Sequence, residues 1–162
     1  MAYADFTFYS DSYHGDTLTN ENAEKWLDRA SDELDTITFG RLTFAFPTHE
    51  AHVARVKKAA CAIAEALCLI DLQRKAASVH RTEDGSYRGA VASITSGKES
   101  ISYAVGSAAG TAYSAAAANP DTEAALIFSI ATRYLANIPD ANGINLLYAG
   151  GVGRVPEHGD GV

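Results

Sequence analysis

No stretch of this chain approaches the ~18–20 consecutive apolar residues that a membrane-spanning helix needs. Its opening Met-Ala-Tyr-Ala-Asp-Phe lacks the basic start and apolar run of a secretory signal. Synthesis in the cytoplasm, with no export and no membrane partner, is the expectation. Cysteine is scarce: Cys61 and Cys68 are the only two, both in a segment whose pattern predicts helix. A rise of ~1.5 Å per residue sets them roughly 10 Å apart, beyond the ~7 Å that a disulfide spans without backbone movement. They are expected to be small core thiols with no redox role. Basic residues are in deficit, 13 Lys and Arg against 20 Asp and Glu, for a net charge of −7. That argues against tight binding to a phosphate backbone, which relies on clustered Lys and Arg. The basic group Arg55, Lys57 and Lys58 is small and diluted by acids.

Motifs for chemistry are missing too, each for a physical reason. His49-Glu50-Ala51-His52 places its histidines three apart rather than the four that zinc-protease geometry requires, with no third ligand nearby. Ser96-Gly97-Lys98-Glu99 has Ala92 where a phosphate-binding loop needs glycine and Glu99 where it needs a hydroxyl. The glycines Gly150, Gly151 and Gly153 precede Pro156 and no helix, so no dipole is available to a pyrophosphate. The histidines at 14, 49, 52, 80 and 158 sit in loops or at an element's start, away from any nucleophile elbow. Asp28, Asp32, Glu33 and Asp35 read as the solvated face of a helix. No catalytic, metal-binding or cofactor-binding residue is assigned, and the chain is expected not to be an enzyme.

What is present is helical patterning in a chain the size of one domain, 162 residues with 47% apolar and 20% charged. A first helix is expected from Thr19 or Asn20, both capable caps, with Glu21 and Glu24 near its positive end. Ala23, Trp26, Leu27, Ala30, Leu34 and Ile37 form its apolar face, and Gly40 supplies a left-handed stop. A second, long central helix is expected from Thr48 as cap to Ala77, with Val53, Val56, Ala60, Ile63, Leu67 and Ile70 recurring every three or four residues. Asn119-Pro120 opens a third, lined by Leu126, Ile127, Ile130, Ala131, Tyr134 and Leu135 and ending before Pro139. The core is therefore expected at Trp26, Leu27, Leu34, Val53, Val56, Ile63, Leu67, Ile130 and Leu135.

Between the second and third helices, Ile94 and Ser96 belong to one alternating run and Ile101, Tyr103 and Val105 to another. Gly97-Lys98 lies between them, so a β-hairpin or projecting loop is expected. The small-residue tract 106–118 reads as a flexible linker, although its alanine run could extend the next helix. Residues 143–162 read as an extended C-terminal arm with Leu146, Leu147 and Tyr148 as its apolar anchor. The expected fold class is mainly α: one domain over 1–162, a bundle of about three helices plus hairpin and arm. Charge is uneven, with ten acids against three bases in residues 1–50 and five against eight in 51–100. An acidic part facing a basic one, within a chain or between neighbours, is one consequence.

Laid end to end, these elements resemble the head–tail connector (adaptor, or head-completion) proteins of long-tailed bacteriophages, from about Tyr3 to Val155. The likeness begins with the aromatic N-terminus, Phe8-Tyr9 and Tyr13, before an acidic helix. Asp35-Thr36-Ile37-Thr38-Phe39-Gly40-Arg41 is similar to the family's Thr-Phe-x-Arg signature. Val53 to Leu67 is similar to its central helix, Ile94–Tyr103 to its Gly-centred loop, and Tyr134-Leu135 with Leu146-Leu147-Tyr148 to its closing helix and tail. Ile138–Asn145 departs from the pattern as an insertion. The resemblance implies a structural virion protein. It would form a dodecameric ring of copies of itself under the portal protein, help retain the genome, and present a surface to the downstream neck (stopper) protein. DNA would pass through without sequence-specific binding. Under that reading Ile94, Ser96, Gly97, Lys98, Ile101, Tyr103, Leu146, Leu147 and Tyr148 are the expected inter-subunit or portal contacts. Two alternatives stay open: a non-virion module whose Trp26–Ile37 and Val53–Ile70 helices grip a helical partner, and an enzyme with an unfamiliar site.

Overall fold

The computed structural model describes residues 2–77 and 111–148, together with the backbone of four short strand segments between them. The aromatic N-terminus, where sequence predicts no regular element, winds into α1 (Phe6–Phe8) and then a π-helical turn, Tyr9–Tyr13. Asp5 caps α1 by accepting the Phe8 amide at 2.8 Å. The turn closes at His14, which is left-handed (φ 60°), and the Gly15 amide donates to the Tyr9 carbonyl at 3.0 Å. A wide turn of this kind survives because Tyr9 is fully buried and its hydroxyl is saturated. That hydroxyl donates to Glu65 (2.7 Å) and accepts the amides of Thr17 (2.9 Å) and Leu18 (3.0 Å).

α2 spans Asn20–Ile37 with Thr19 as its cap, the Thr19 amide donating to Asn22 Oδ1 at 2.9 Å. Its buried face is Ala23, Trp26, Leu27, Ala30, Ser31 and Leu34. Ser31 is satisfied there, donating to the Leu27 carbonyl and accepting the Tyr3 amide. The chain turns through two consecutive left-handed residues, Phe39 (φ 55°) and Gly40 (φ 74°), into the one-turn α3 (Arg41–Phe44).

The long helix α4 covers Glu50–Ala77. Its start lies at His49 rather than Thr48: the His49 carbonyl accepts the amides of His52 and Val53, and its Nδ1 accepts that of Ala51 at 3.2 Å. Thr48 as cap is thus corrected, since an imidazole at the first non-helical position supplies the same acceptor. α4 buries Val56, Ala59, Ala60, Cys61, Ile63, Ala64, Ala66, Cys68 and Ile70, so it is covered on several sides. Its small alanines let α2, α5 (Ala112–Ala118) and α6 (Pro120–Leu135) pack closely around it. Trp26, Leu27, Leu34, Val56, Ile63 and Leu135 lie inside; Leu67 and Ile130 are half-buried against the core, and Val53 is half-buried outside it.

The tract 106–118 needs correction where it is described. Residues 112–118 are helical, with the Thr111 hydroxyl accepting the Ser114 amide at 3.2 Å. Alanine is the best helix former, and packing against α4 and α6 fixes the element. Asn119 ends α5 and caps α6, accepting the Asp121 amide at 2.8 Å, with Pro120 in the first turn.

Between α4 and α5 the described backbone pairs β1 (His80–Arg81) with β2 (Tyr87–Arg88), and β3 (Ile94–Ser96) with β4 (Glu99–Ile101), both antiparallel. Gly97, Lys98 and Tyr103 lie outside the described residues, as do 149–162. The chain among the described residues is mainly helical, and no helix there is long and apolar enough to cross a membrane.

Candidate assembly surface

The corner at Phe39–Ala45 gathers residues far apart in sequence. Arg41, at the start of α3, reaches across to the segment after α6. One guanidinium nitrogen stands 3.7 Å from Asp140 Oδ2 and the other donates to the Tyr148 carbonyl at 3.1 Å. Asp140 is buried and organises its own loop. Its Oδ1 accepts the amides of Asn142 (2.8 Å) and Ile144 (2.9 Å), and its amide donates to the Ile144 carbonyl at 2.7 Å. Gly143 turns that loop in a left-handed conformation, φ 82°. The Ala141 amide donates to the Ala45 carbonyl at 3.0 Å, tying the loop directly to the end of α3.

Four large apolar side chains stand exposed around this frame. Phe44 is 88% exposed, Phe39 62%, Tyr148 59% and Ile144 38%. Hiding such side chains is worth ~1.5–3 kcal/mol each, a gain the fold forgoes here, as it does at Leu72 on α4 and Phe128 on α6. Phe39 also holds a left-handed backbone, uncommon for a bulky side chain, which marks the spot as constrained by its surroundings. By contrast Phe46, two residues after Phe44, stacks on Tyr3 with ring centroids 5.4 Å apart.

The residues singled out from sequence distribute unevenly. Tyr148 belongs to this corner. Leu147 is half-buried against the core, and Leu146 is fully buried. Leu146 as an inter-subunit contact is therefore corrected: its amide donates to the Ile138 carbonyl at 2.9 Å and its side chain fills the interior. An arm beginning at 143 is corrected with it, because residues 143–148 are hydrogen-bonded into the body. Ile94, Ser96 and Ile101 lie in the described strand backbone, whereas Gly97, Lys98 and Tyr103 do not. Phe39 and Phe44 stand outside the contacts expected from sequence. The available signal was an aromatic pair, Phe44 and Phe46, of which packing needs only one.

Chemistry elsewhere is quiet among the described residues. Cys61 and Cys68 are both buried thiols; burial first, and then the Glu65 charge, pushes Cys61 up to about 12. Cys68 is also raised, chiefly by burial, so neither offers a thiolate near neutrality. The His49 and His52 rings lie 5.0 Å apart at the start of α4, and no group of three or more His, Cys, Asp or Glu there is arranged to hold a metal. The apolar faces of α2 and α4, the pair considered for gripping a helical partner, are spent on each other. Comparison with models of protein families, with curated proteins and with solved structures finds no match for this chain.

Proposed function

We propose that this protein is a structural component of a virus neck, a ring-forming connector that sits between the capsid portal and the next neck protein and helps retain the packaged genome. The observation that carries the reading is the exposed aromatic corner Phe39, Phe44, Ile144 and Tyr148 on a frame fixed by Arg41 and Asp140. Two of the stretches that share in the connector resemblance, Asp35–Arg41 and Leu146–Tyr148, meet at this frame. Large aromatics on a rigid base make strong anchors because little side-chain freedom is lost on docking. The segment from Ile94 to Tyr103 and the residues after Tyr148 would supply additional contacts to neighbouring subunits. The role assigns no reaction to the chain. The net charge of −7 suits a body past which DNA moves without sticking.

Cryo-imaging of portal mixed with this protein tests the reading: a ring on the portal's tail-side face is expected. Phe44→Ser should leave the fold unchanged, because Phe44 is almost wholly exposed, yet weaken portal binding by roughly thirtyfold, an anchor's worth of ~2 kcal/mol. A chain that never binds portal, or whose Phe39 and Phe44 variants bind it unchanged, overturns the proposal. Capture of a non-virion partner through the same corner would favour a different assembly.

A further inference from the structure

The loop after α6 carries the one Asn-Gly step in the chain, Asn142-Gly143. Asparagine before glycine is the pairing most open to spontaneous deamidation, because glycine has no Cβ to hinder its own amide from reaching the preceding side chain. The other asparagines, at 20, 22, 119, 137 and 145, precede Glu, Ala, Pro, Ile and Leu. Ala141, Asn142 and Gly143 are all exposed, and nothing lies within 4 Å of the point where a Cβ on Gly143 would stand. Water and space are both available there. What restrains the reaction is the backbone. The Gly143 amide donates to the Asp140 carbonyl at 3.0 Å, and Asp140 Oδ1 accepts the amides of Asn142 and Ile144 at 2.8 and 2.9 Å. Arg41 stands 3.7 Å from the other carboxylate oxygen. A nitrogen whose proton is held by a carbonyl is a poor nucleophile, so the attack waits on opening of the turn.

We propose that Asn142 is a site of spontaneous deamidation, that the turn held by Asp140 and Arg41 sets its rate, and that conversion loosens the frame of the aromatic corner. The Gly143 nitrogen gives up its proton and bonds to Asn142 Cγ, and the side-chain nitrogen leaves as ammonia with that proton. Water then opens the five-membered imide, breaking one of its two carbon–nitrogen bonds and returning a proton to the Gly143 nitrogen. Opening on one side leaves aspartate and on the other isoaspartate; the net change is water taken up and ammonia lost. Aspartate adds an acid to a loop that already encloses the Asp140 carboxylate. Isoaspartate lengthens the main chain by a methylene between Ala141, which donates to the Ala45 carbonyl at 3.0 Å, and Ile144, one of the corner's exposed side chains. Those two anchors are then shifted against each other. The modification stands without the connector reading; only its effect on portal binding rests on it.

Peptide mapping of the folded chain, held in mildly alkaline buffer, tests the site as an exchange of NH for O. Asn142 should convert ahead of every other asparagine. It should do so about ten- to a thousandfold more slowly than in guanidinium chloride, where no turn restrains it. Arg41→Ala, kept at temperatures where circular dichroism shows it folded, should convert roughly threefold faster or more than wild type. Folded and unfolded rates that agree, or a folded chain in which Asn142 stays intact beyond that range, would each overturn the site as drawn. A rate unmoved by Arg41→Ala would take Arg41 out of the restraint. Aged wild type should unfold at a lower urea concentration than fresh protein, whereas Asn142→Ser, with no side-chain amide to lose, should match its own fresh sample after the same incubation. Aged and fresh wild type of equal stability would refute the loosening of the frame. Portal binding that weakens on ageing in wild type alone extends the effect to docking. Fresh protein that never binds portal defeats the connector reading and leaves the mapping result untouched.

Discussion

Tyr9 shows how one side chain can fix a segment that has no strong propensity of its own. Its ring fills the space that a side chain at position 15 would need: a Cβ on Gly15 would lie 2.1 Å from Tyr9 Cζ. Gly15→Ala therefore forces the ring or the turn to move and should cost ~1–3 kcal/mol, seen as a lowered urea midpoint. Tyr9→Phe keeps the ring but leaves Glu65 and the amides of Thr17 and Leu18 short of a partner, a loss of ~1–3 kcal/mol by the same measurement. The same site sets an alkaline limit. Burial, and then the bond to Glu65, pushes the Tyr9 phenol from 10.0 up to about 12, and burial raises Tyr3 and Tyr13 as well. The folded state holds these protons more tightly than the unfolded one does, so the contribution of Tyr9 is complete below about pH 10 and is lost as pH rises through 10 to 12, and those of Tyr3 and Tyr13 go on being lost above that. Urea midpoints should hold level in this respect up to pH 10 and then fall, with a shallower fall in Tyr9→Phe. An unchanged slope would mean that Tyr9 titrates alike in both states. Trp26→Ala, which empties a buried site on α2, should cost ~3–5 kcal/mol.

At the level of elements, local signals located the helices that cap themselves and display one apolar stripe. Thr19 before Ala23-x-x-Trp26-Leu27, and Asn119-Pro120 before Ile127-x-x-x-Ala131, mark α2 and α6 because cap and period are both properties of neighbouring residues. The length of α4 was legible for a related reason: nothing between Glu50 and Ala77 interrupts it. α5 was harder to read, since six of its seven residues are Ala or Ser and carry little apolar period, and its helix is settled by α4 and α6 lying against it. The segment after α6 was misread because its order comes from partners about a hundred residues away. No local pattern announces that Asp140 meets Arg41, or that Leu146 turns inward. A truncation series checks the corrected boundary. Removing 149–162 leaves Leu146 in the interior and Asp140 bonded within its own loop, and should cost less than the longer truncation. Removing 143–162 withdraws Leu146 from the interior and should cost at least the ~2–5 kcal/mol of a buried leucine, with loss of helical circular dichroism at lower temperature. Equal stability of the two would return residues 143–148 to the status of an arm.

For the molecule as a whole, the aromatic corner is useful only if it is held still, and the Arg41–Asp140 pair joins its two halves together with the Ala141–Ala45 and Arg41–Tyr148 hydrogen bonds. Both side chains are largely buried, 13% and 2% exposed, so the pair is shielded from water although its nitrogen–oxygen separation is a long 3.7 Å. Asp140 does not depend on Arg41 alone, since it also accepts two amides from its own loop. Arg41 does more than neutralise it, because its second nitrogen holds the Tyr148 carbonyl. The two substitutions should therefore be unequal. Arg41→Ala strands a buried carboxylate and releases Tyr148, a loss of ~3–5 kcal/mol. Asp140→Asn keeps an oxygen acceptor for the loop amides and leaves Arg41 bound to Tyr148, so it should cost less, and the double variant should fall short of the sum because the two residues share one interaction. The informative readout is binding, not stability. If the corner docks as one rigid piece, Arg41→Ala should weaken portal association even at temperatures where the variant is fully folded and Phe39 and Phe44 are intact. If portal association instead follows only the folded fraction, the frame contributes stability and the exposed rings act without it.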